Sequence, residues 1–186
     1  PSQSDYFQAT KGGGHGDYKN IVLAPASAQD MYDFVDLAFE LAFKYRNPAI
    51  ILGDGVIGQM MEKVELKPAK ARRTEAEIRE LCDSWATIGN VGRKGNTITS
   101  LSLDPEYQEQ FNIKLQKKYA EIEENEVRYE TYMAEDAEHL IVAFGCMSRI
   151  GEAVVDLARE RGIKLGLLRP ITLFPFPKKA IDALVP

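Results

Sequence analysis

Cysteine is nearly missing. Cys82 and Cys146 are the only two among 186 residues, and neither belongs to a C-x-x-C. A disulfide scaffold, a structural zinc site and an iron–sulfur cluster held by this chain alone are thereby excluded. Two isolated thiols suit a reducing cytoplasm. Histidine is equally scarce, with only His15 and His139, and a lone histidine specifies no metal site. No apolar run approaches the roughly 18 residues that a membrane span needs, and no signal-peptide pattern is visible. Positive charge is outnumbered, 23 Lys and Arg against 28 Asp and Glu, for a net charge of -5. That balance lacks the basic footprint of a nucleic-acid or anionic-membrane binder. The chain opens on Pro1 rather than Met and reads as a piece of a longer protein.

What is there reads as globular: 45% hydrophobic and 27% charged. NIVLA at 20–24 is an apolar run without alternation, the mark of a strand buried on both faces. Ser27 can cap the helix that follows. Met31, Phe34, Val35, Ala38, Leu41, Ala42 and Tyr45 form its apolar stripe, with Leu37, Phe39 and Phe43 beside it. A helix apolar so far round is covered on more than one side, here by a sheet and by another domain or subunit. Asn47-Pro48 ends it. Ala49 to Leu52 then completes a βαβ unit.

A polar, irregular stretch follows from about Gln59 to Asp104, with a short helix predicted from Glu75 to Trp85 and a turn at Gly92 to Thr97. Asp104-Pro105 reads as an N-cap with proline at the first helical position. The helix is predicted to run to about Met133, on a narrow stripe of Phe111, Leu115, Tyr119 and Ile122. A second βαβ unit begins with HLIVAFG at 139–145. Ser148 is the predicted N-cap of the next helix, with Ile150, Val154, Leu157 and Ala158 turned inward and Gly162 at its end. Lys164 to Leu168 is the next strand, and a further helix starts at Lys178.

Two glycine motifs invite a nucleotide reading. In KGGGHGDYKNIVLAP, residues 11–25, the glycines precede a strand. Phosphate-binding loops follow a strand and open a helix, so this stretch is not one. It is either an ordinary surface loop or a loop pressed against a partner or cofactor, with His15 and Asp17 aimed inward. Gly53-Asp-Gly55-Val-Ile-Gly58 does follow a strand, but a poor helix comes after it and no ribose-binding carboxylate can be placed. Its glycines read as a turn. Cys146 lies at a strand's end beside a helix start, where a thiol's pKa can fall; without a histidine partner it reads as a packing residue. No Ser–His–Asp order or carboxylate pair stands out.

The strings QSDYFQATKGGGHGDYKNIVLAPAS, RNPAIILGDGVIGQMME and GCMSRIGEAVVDLARERGIKLGLLRPITLFPFP resemble the large subunit of thiamine-diphosphate-dependent 2-oxoacid:ferredoxin oxidoreductases, most of all the 2-oxoisovalerate type. The resemblance implies an α/β fold of two parallel-sheet domains. Residues 1–66 correspond to the C-terminal part of the pyrimidine-binding domain. Residues 67–135 are a linker with a long helix. Residues 136–186 begin a transketolase C-terminal-like domain. It implies oxidative decarboxylation of a 2-oxoacid with coenzyme A, giving acyl-CoA, carbon dioxide and reduced ferredoxin. Thiamine diphosphate and its magnesium are shared with a partner subunit, and the iron–sulfur clusters belong to another. The family's catalytic residues lie upstream of Pro1, so none is expected here, nor any metal ligand. Gln3 and Asp5 match the Gln-x-Asp of the substrate loop; with Gly13, Gly14, His15 and Asp17 they are the substrate-loop or interface candidates. The 2-oxoglutarate and pyruvate types, another transketolase-like enzyme, and a non-catalytic interaction subunit stay open as alternatives.

Overall fold

The computed structural model describes residues 4–14, 16–91, 95–99 and 101–185. The chain divides into two compact units, residues 1–65 with 117–186, and residues 66–116. Gln3 and His15 lie outside the described residues, as does the first half of the turn expected at Gly92 to Thr97.

The first unit is α/β and built on two small sheets. Helix α1 (Asp5–Lys11) leads by a glycine loop to β1 (Ile21–Leu23), and α2 (Ala28–Tyr45) connects β1 to β2 (Ala49–Ile51). β1 and β2 are parallel, pairing Ile21 with Ala49. Ile21, Val22 and Leu23 are fully buried, and each such side chain contributes about 1.5–3 kcal/mol through burial. Ser27 caps α2 by accepting from the Asp30 amide at 3.0 Å, and the helix stops at Tyr45, just before Asn47-Pro48. Phe34, Leu41 and Tyr45 face inward; Val35, Phe39 and Phe43 are exposed. Val35 therefore sits on the outer face, not on the core stripe predicted for it.

The second sheet comprises β3 (Tyr129–Tyr132), β4 (His139–Val142) and β5 (Leu165–Pro170), in the order β3-β5-β4. β4 and β5 are parallel and joined by α5 (Cys146–Glu160), while β3 pairs antiparallel with β5. β6 (Thr172–Phe174) crosses back and pairs antiparallel with β1, and α6 (Lys178–Leu184) follows. Each parallel pair thus carries an antiparallel third strand. Two of these strands cut across the division expected from sequence. β3 lies inside the stretch read as linker, and β6 completes the sheet of the N-terminal segment.

The predicted helix over 105–133 also ends early. Helix α4 spans Pro105–Asn125; beyond it Tyr129 to Tyr132 is drawn out because β5 offers a strand to pair with. Helix α5 differs too. Gly145, with φ +63°, precedes it, and Ser148 sits in its first turn, donating its hydroxyl to the Gly145 carbonyl at 2.8 Å. Ser148, Gly151 and Val155 face the sheet, whereas Ile150, Val154 and Leu157 are exposed. The reason is close approach: a Cβ on Gly151 would lie 3.1 Å from Leu167 Cδ1, so the small-residue face docks and the bulky stripe is rotated outward.

A buried ion, Glu126, and a largely covered one, Arg169, tie the elements of this unit. Glu126 accepts from Lys44 Nζ and Tyr45 Oη, each at 2.6 Å, and pairs with Arg128 at 2.8 Å. Burial pushes its carboxyl up, but the hydrogen bonds from Lys44, Tyr45 and Arg128 outweigh burial and hold it low. Replacing Glu126 by alanine is expected to cost about 2–3 kcal/mol, the scale of lost charge-assisted hydrogen bonds. Because the folded value is depressed, this stability is present above the ordinary glutamate pKa and lost as pH falls through the folded one. Urea unfolding from pH 7 downward should show an acid-limb loss that Glu126→Ala reduces by this residue's share. Arg169 of β5 pairs with Asp30 at the start of α2 and with Glu130 of β3 at 2.8 Å, linking the second sheet to α2.

The second unit holds α3 (Glu75–Cys82) and the first half of α4. Thr74 and Glu77 form a capping box. α3 ends before Trp85, and Asn96 Nδ2 donates to the carbonyls of Asp83 and Ala86 at 2.8 and 2.9 Å. Asp104 caps α4 as predicted, accepting from the Glu106 amide at 3.0 Å.

Candidate functional site

The glycine loop lies between α1 and β1, and its shape is set by one side chain. The Gly13 amide donates to Tyr18 Oη at 2.7 Å. Gly12 and Gly16 have φ +94° and +103°, and a Cβ on either would lie 3.7 or 3.8 Å from the Tyr18 ring. These two positions need glycine for backbone reasons. Gly13 is pressed against Gln8, whose Cγ would be 2.9 Å from an added Cβ. Gly14 is different: a Cβ there would meet nothing within 4 Å, and its φ lies outside the left-handed range.

Asp5, Gly13 and Gly14 are brought together on the wall of a cavity of about 570 Å³, with Gln8, Ala9, Tyr18, Asn20, Ile50 and Leu52. Asp17 is exposed and is not among the lining residues. Tyr6 of α1 stacks on Phe144 at 5.7 Å between ring centroids, and Thr10 Oγ1 donates to the Tyr6 carbonyl at 2.7 Å. Asn47 Nδ2 donates to the Lys19 carbonyl at 2.9 Å and fixes the entry to β1. Sequence reasoning missed α1, Gln8 and Tyr18. The tyrosine stood inside the quoted stretch, but nothing in its spacing says that it folds back on Gly13.

The second glycine motif is a carboxylate cap. Asp54 Oδ1 accepts from the Val56 and Ile57 amides at 3.0 and 2.9 Å, and Oδ2 accepts from the Cys146 amide at the start of α5 at 2.7 Å. Burial raises the Asp54 pKa, but the amides of Ile57, Cys146 and Val56 outweigh it, and the net shift is downward. The N-terminus of α5, the place a phosphate would take, already holds an anion from its own chain. Burial, then Asp54, pushes the Cys146 thiol up, so it stays protonated and does not become the reactive thiolate its place beside a helix start allows. Titration with NAD is accordingly expected to give no micromolar binding; a micromolar Kd abolished by Gly55→Val would contradict this.

The N-terminus of α2 is likewise taken. Glu62 Oε2 accepts from the Ala28 amide at 2.9 Å, while Oε1 pairs with Arg149 of α5 at 2.5 Å. Among the described residues no group of three or more His, Cys, Asp and Glu is placed to hold a metal, and no helix is long and apolar enough to cross a membrane. The described residues therefore do not fit the diphosphate and metal end of thiamine diphosphate, and no step through that group is assigned to them.

The family described as "Pyruvate flavodoxin/ferredoxin oxidoreductase, thiamine diP-bdg" matches residues 1–133, and "Pyruvate:ferredoxin oxidoreductase core domain II" matches residues 137–185. Ketoisovalerate oxidoreductase subunit VorB of Methanothermobacter marburgensis is 54% identical over 99% of this chain and 51% of its own length. The 2-oxoglutarate synthase subunit KorA of Archaeoglobus fulgidus is 35% identical over 97% of this chain and 51% of its own. The chain thus spans about half the length of the curated relatives it matches. Among solved structures, the 2-oxoglutarate:ferredoxin oxidoreductase from Magnetococcus marinus superposes with a TM-score of 0.73 at 23% identity, covering 98% of this chain and 36% of that one; it shares the fold. On the match over residues 1–133, the chain belongs to the pyruvate flavodoxin/ferredoxin oxidoreductase family, in its thiamine diphosphate-binding part.

Proposed function

We propose that the chain is part of the large subunit of an enzyme that oxidatively decarboxylates a branched-chain 2-oxoacid, 2-oxoisovalerate. The observation that carries this is the 54% identity to a ketoisovalerate oxidoreductase subunit across nearly the whole chain, against 35% to a 2-oxoglutarate synthase subunit. In the reaction the bond between C1 and C2 breaks and C1 leaves as carbon dioxide. The acyl carbon is oxidised by two electrons that pass to ferredoxin, and the acyl group joins the sulfur of coenzyme A, whose thiol proton is released. Bound thiamine diphosphate supplies the carbanion chemistry; the protein positions it and excludes competing reactions.

The residues described here have a supporting part. Asp54 and Glu62 fill both helix N-termini of the βαβ framework with the chain's own carboxylates, which supports a diphosphate and magnesium site in a partner subunit. On this reading the iron–sulfur clusters belong to another subunit and the enzyme works in the cytoplasm. The glycine loop with Asp5, Gly13 and Gly14 is read as part of the substrate loop or as a subunit or domain contact, and Gln3, His15 and Asp17 as candidates of the same kind. The division at 66/67 and 135/136 is kept as a functional one: pyrimidine-side wall, linker, and the start of a second domain. The 186-residue chain alone is read as inactive.

The test is the complete subunit assembled with its partners, thiamine diphosphate, magnesium, coenzyme A and ferredoxin. Acyl-CoA and reduced ferredoxin should form together, and omitting coenzyme A should stop both. Absence of acyl-CoA from every 2-oxoacid tried would overturn the reading.

A further inference from the structure

We draw no further inference here: the strongest candidate, the cavity of about 950 Å³ beside α1, β6 and the start of α6, lined by Lys11, Lys19, Lys178 and Lys179 with the Phe174 and Phe176 rings, carries nothing, because the chain spans about half the length of the relatives it matches and nothing in the structure shows what covers it.

Discussion

Gly166→Val is expected to leave the complete subunit largely unfolded, with a stability loss of about 3 kcal/mol or more, the upper end of overpacking costs. Gly166 lies in the central strand of the second sheet, opposite Leu140. A Cβ there would stand 2.8 Å from the Met133 carbonyl oxygen and the Ala134 Cα, and 2.9 Å from the Ala137 Cβ. Two of those three atoms are backbone, so no rotamer change relieves the contact. Nor can the turn move freely. Arg159 holds it, donating from Nη2 to the Met133 carbonyl at 2.7 Å and pairing with Asp136 at 2.8 Å. Soluble yield and the urea midpoint are the readouts, with Gly14→Val as the comparison, since that position has room. A Gly166→Val subunit with an unchanged midpoint would show that the 133–137 turn does not pack as described.

Asp54→Ala should cost about 2–4 kcal/mol, from lost hydrogen bonds to a charged acceptor and a lost carboxylate at a helix N-terminus. Its three amide partners join the turn after β2 to the first residue of α5. Gly145 belongs to the same arrangement: a Cβ there would sit 2.7 Å from Asp54 Oδ2, on a backbone already at φ +63°. The pH dependence has a definite sign. The Asp54 pKa is lowered in the folded protein, so its stabilisation is present above the ordinary aspartate value and disappears as pH falls through the folded one. Asp54→Asn keeps an acceptor but not the charge, and should lose part of the stability and this share of the acid dependence. Equal urea midpoints for the parent and Asp54→Ala at pH 7 would contradict the role assigned to the carboxylate.

The framework was legible where local chemistry and burial agree. The unbroken apolar run at Ile21 to Leu23, the Ser27 cap and the Asn47-Pro48 stop place β1, α2 and β2 within a residue or two. The same logic failed for α5. Its bulky stripe at Ile150, Val154 and Leu157 carries the helical period, but docking is decided by how closely Gly151 can approach Leu167, and that depends on the sheet rather than on the helix. β3 and β6 were unreadable because antiparallel edge strands of three or four residues need a partner to exist, and their partners lie far away in sequence. At the candidate site, the sequence singled out the glycines and Asp5. It could not show that Gly12 and Gly16 lie against Tyr18 while a Cβ on Gly14 would meet nothing among the described residues, because that distinction lies in φ and contact. The GDGVIG motif is the converse case. Its pattern matches a dinucleotide fingerprint that the poor helix after it already argues against, and the placement of the Asp54 carboxylate on the Val56, Ile57 and Cys146 amides gives the turn its physical reason.

The branched-chain assignment is tested most directly by substrate preference. The complete subunit, assembled with its partners and supplied with coenzyme A, is given 2-oxoisovalerate, 2-oxoglutarate and pyruvate in parallel, and kcat/KM is read from ferredoxin reduction. The account predicts that 2-oxoisovalerate is oxidised at least about ten-fold more efficiently than either other acid, a difference of about 1.4 kcal/mol in transition-state stabilisation. A preference for 2-oxoglutarate or pyruvate would contradict it.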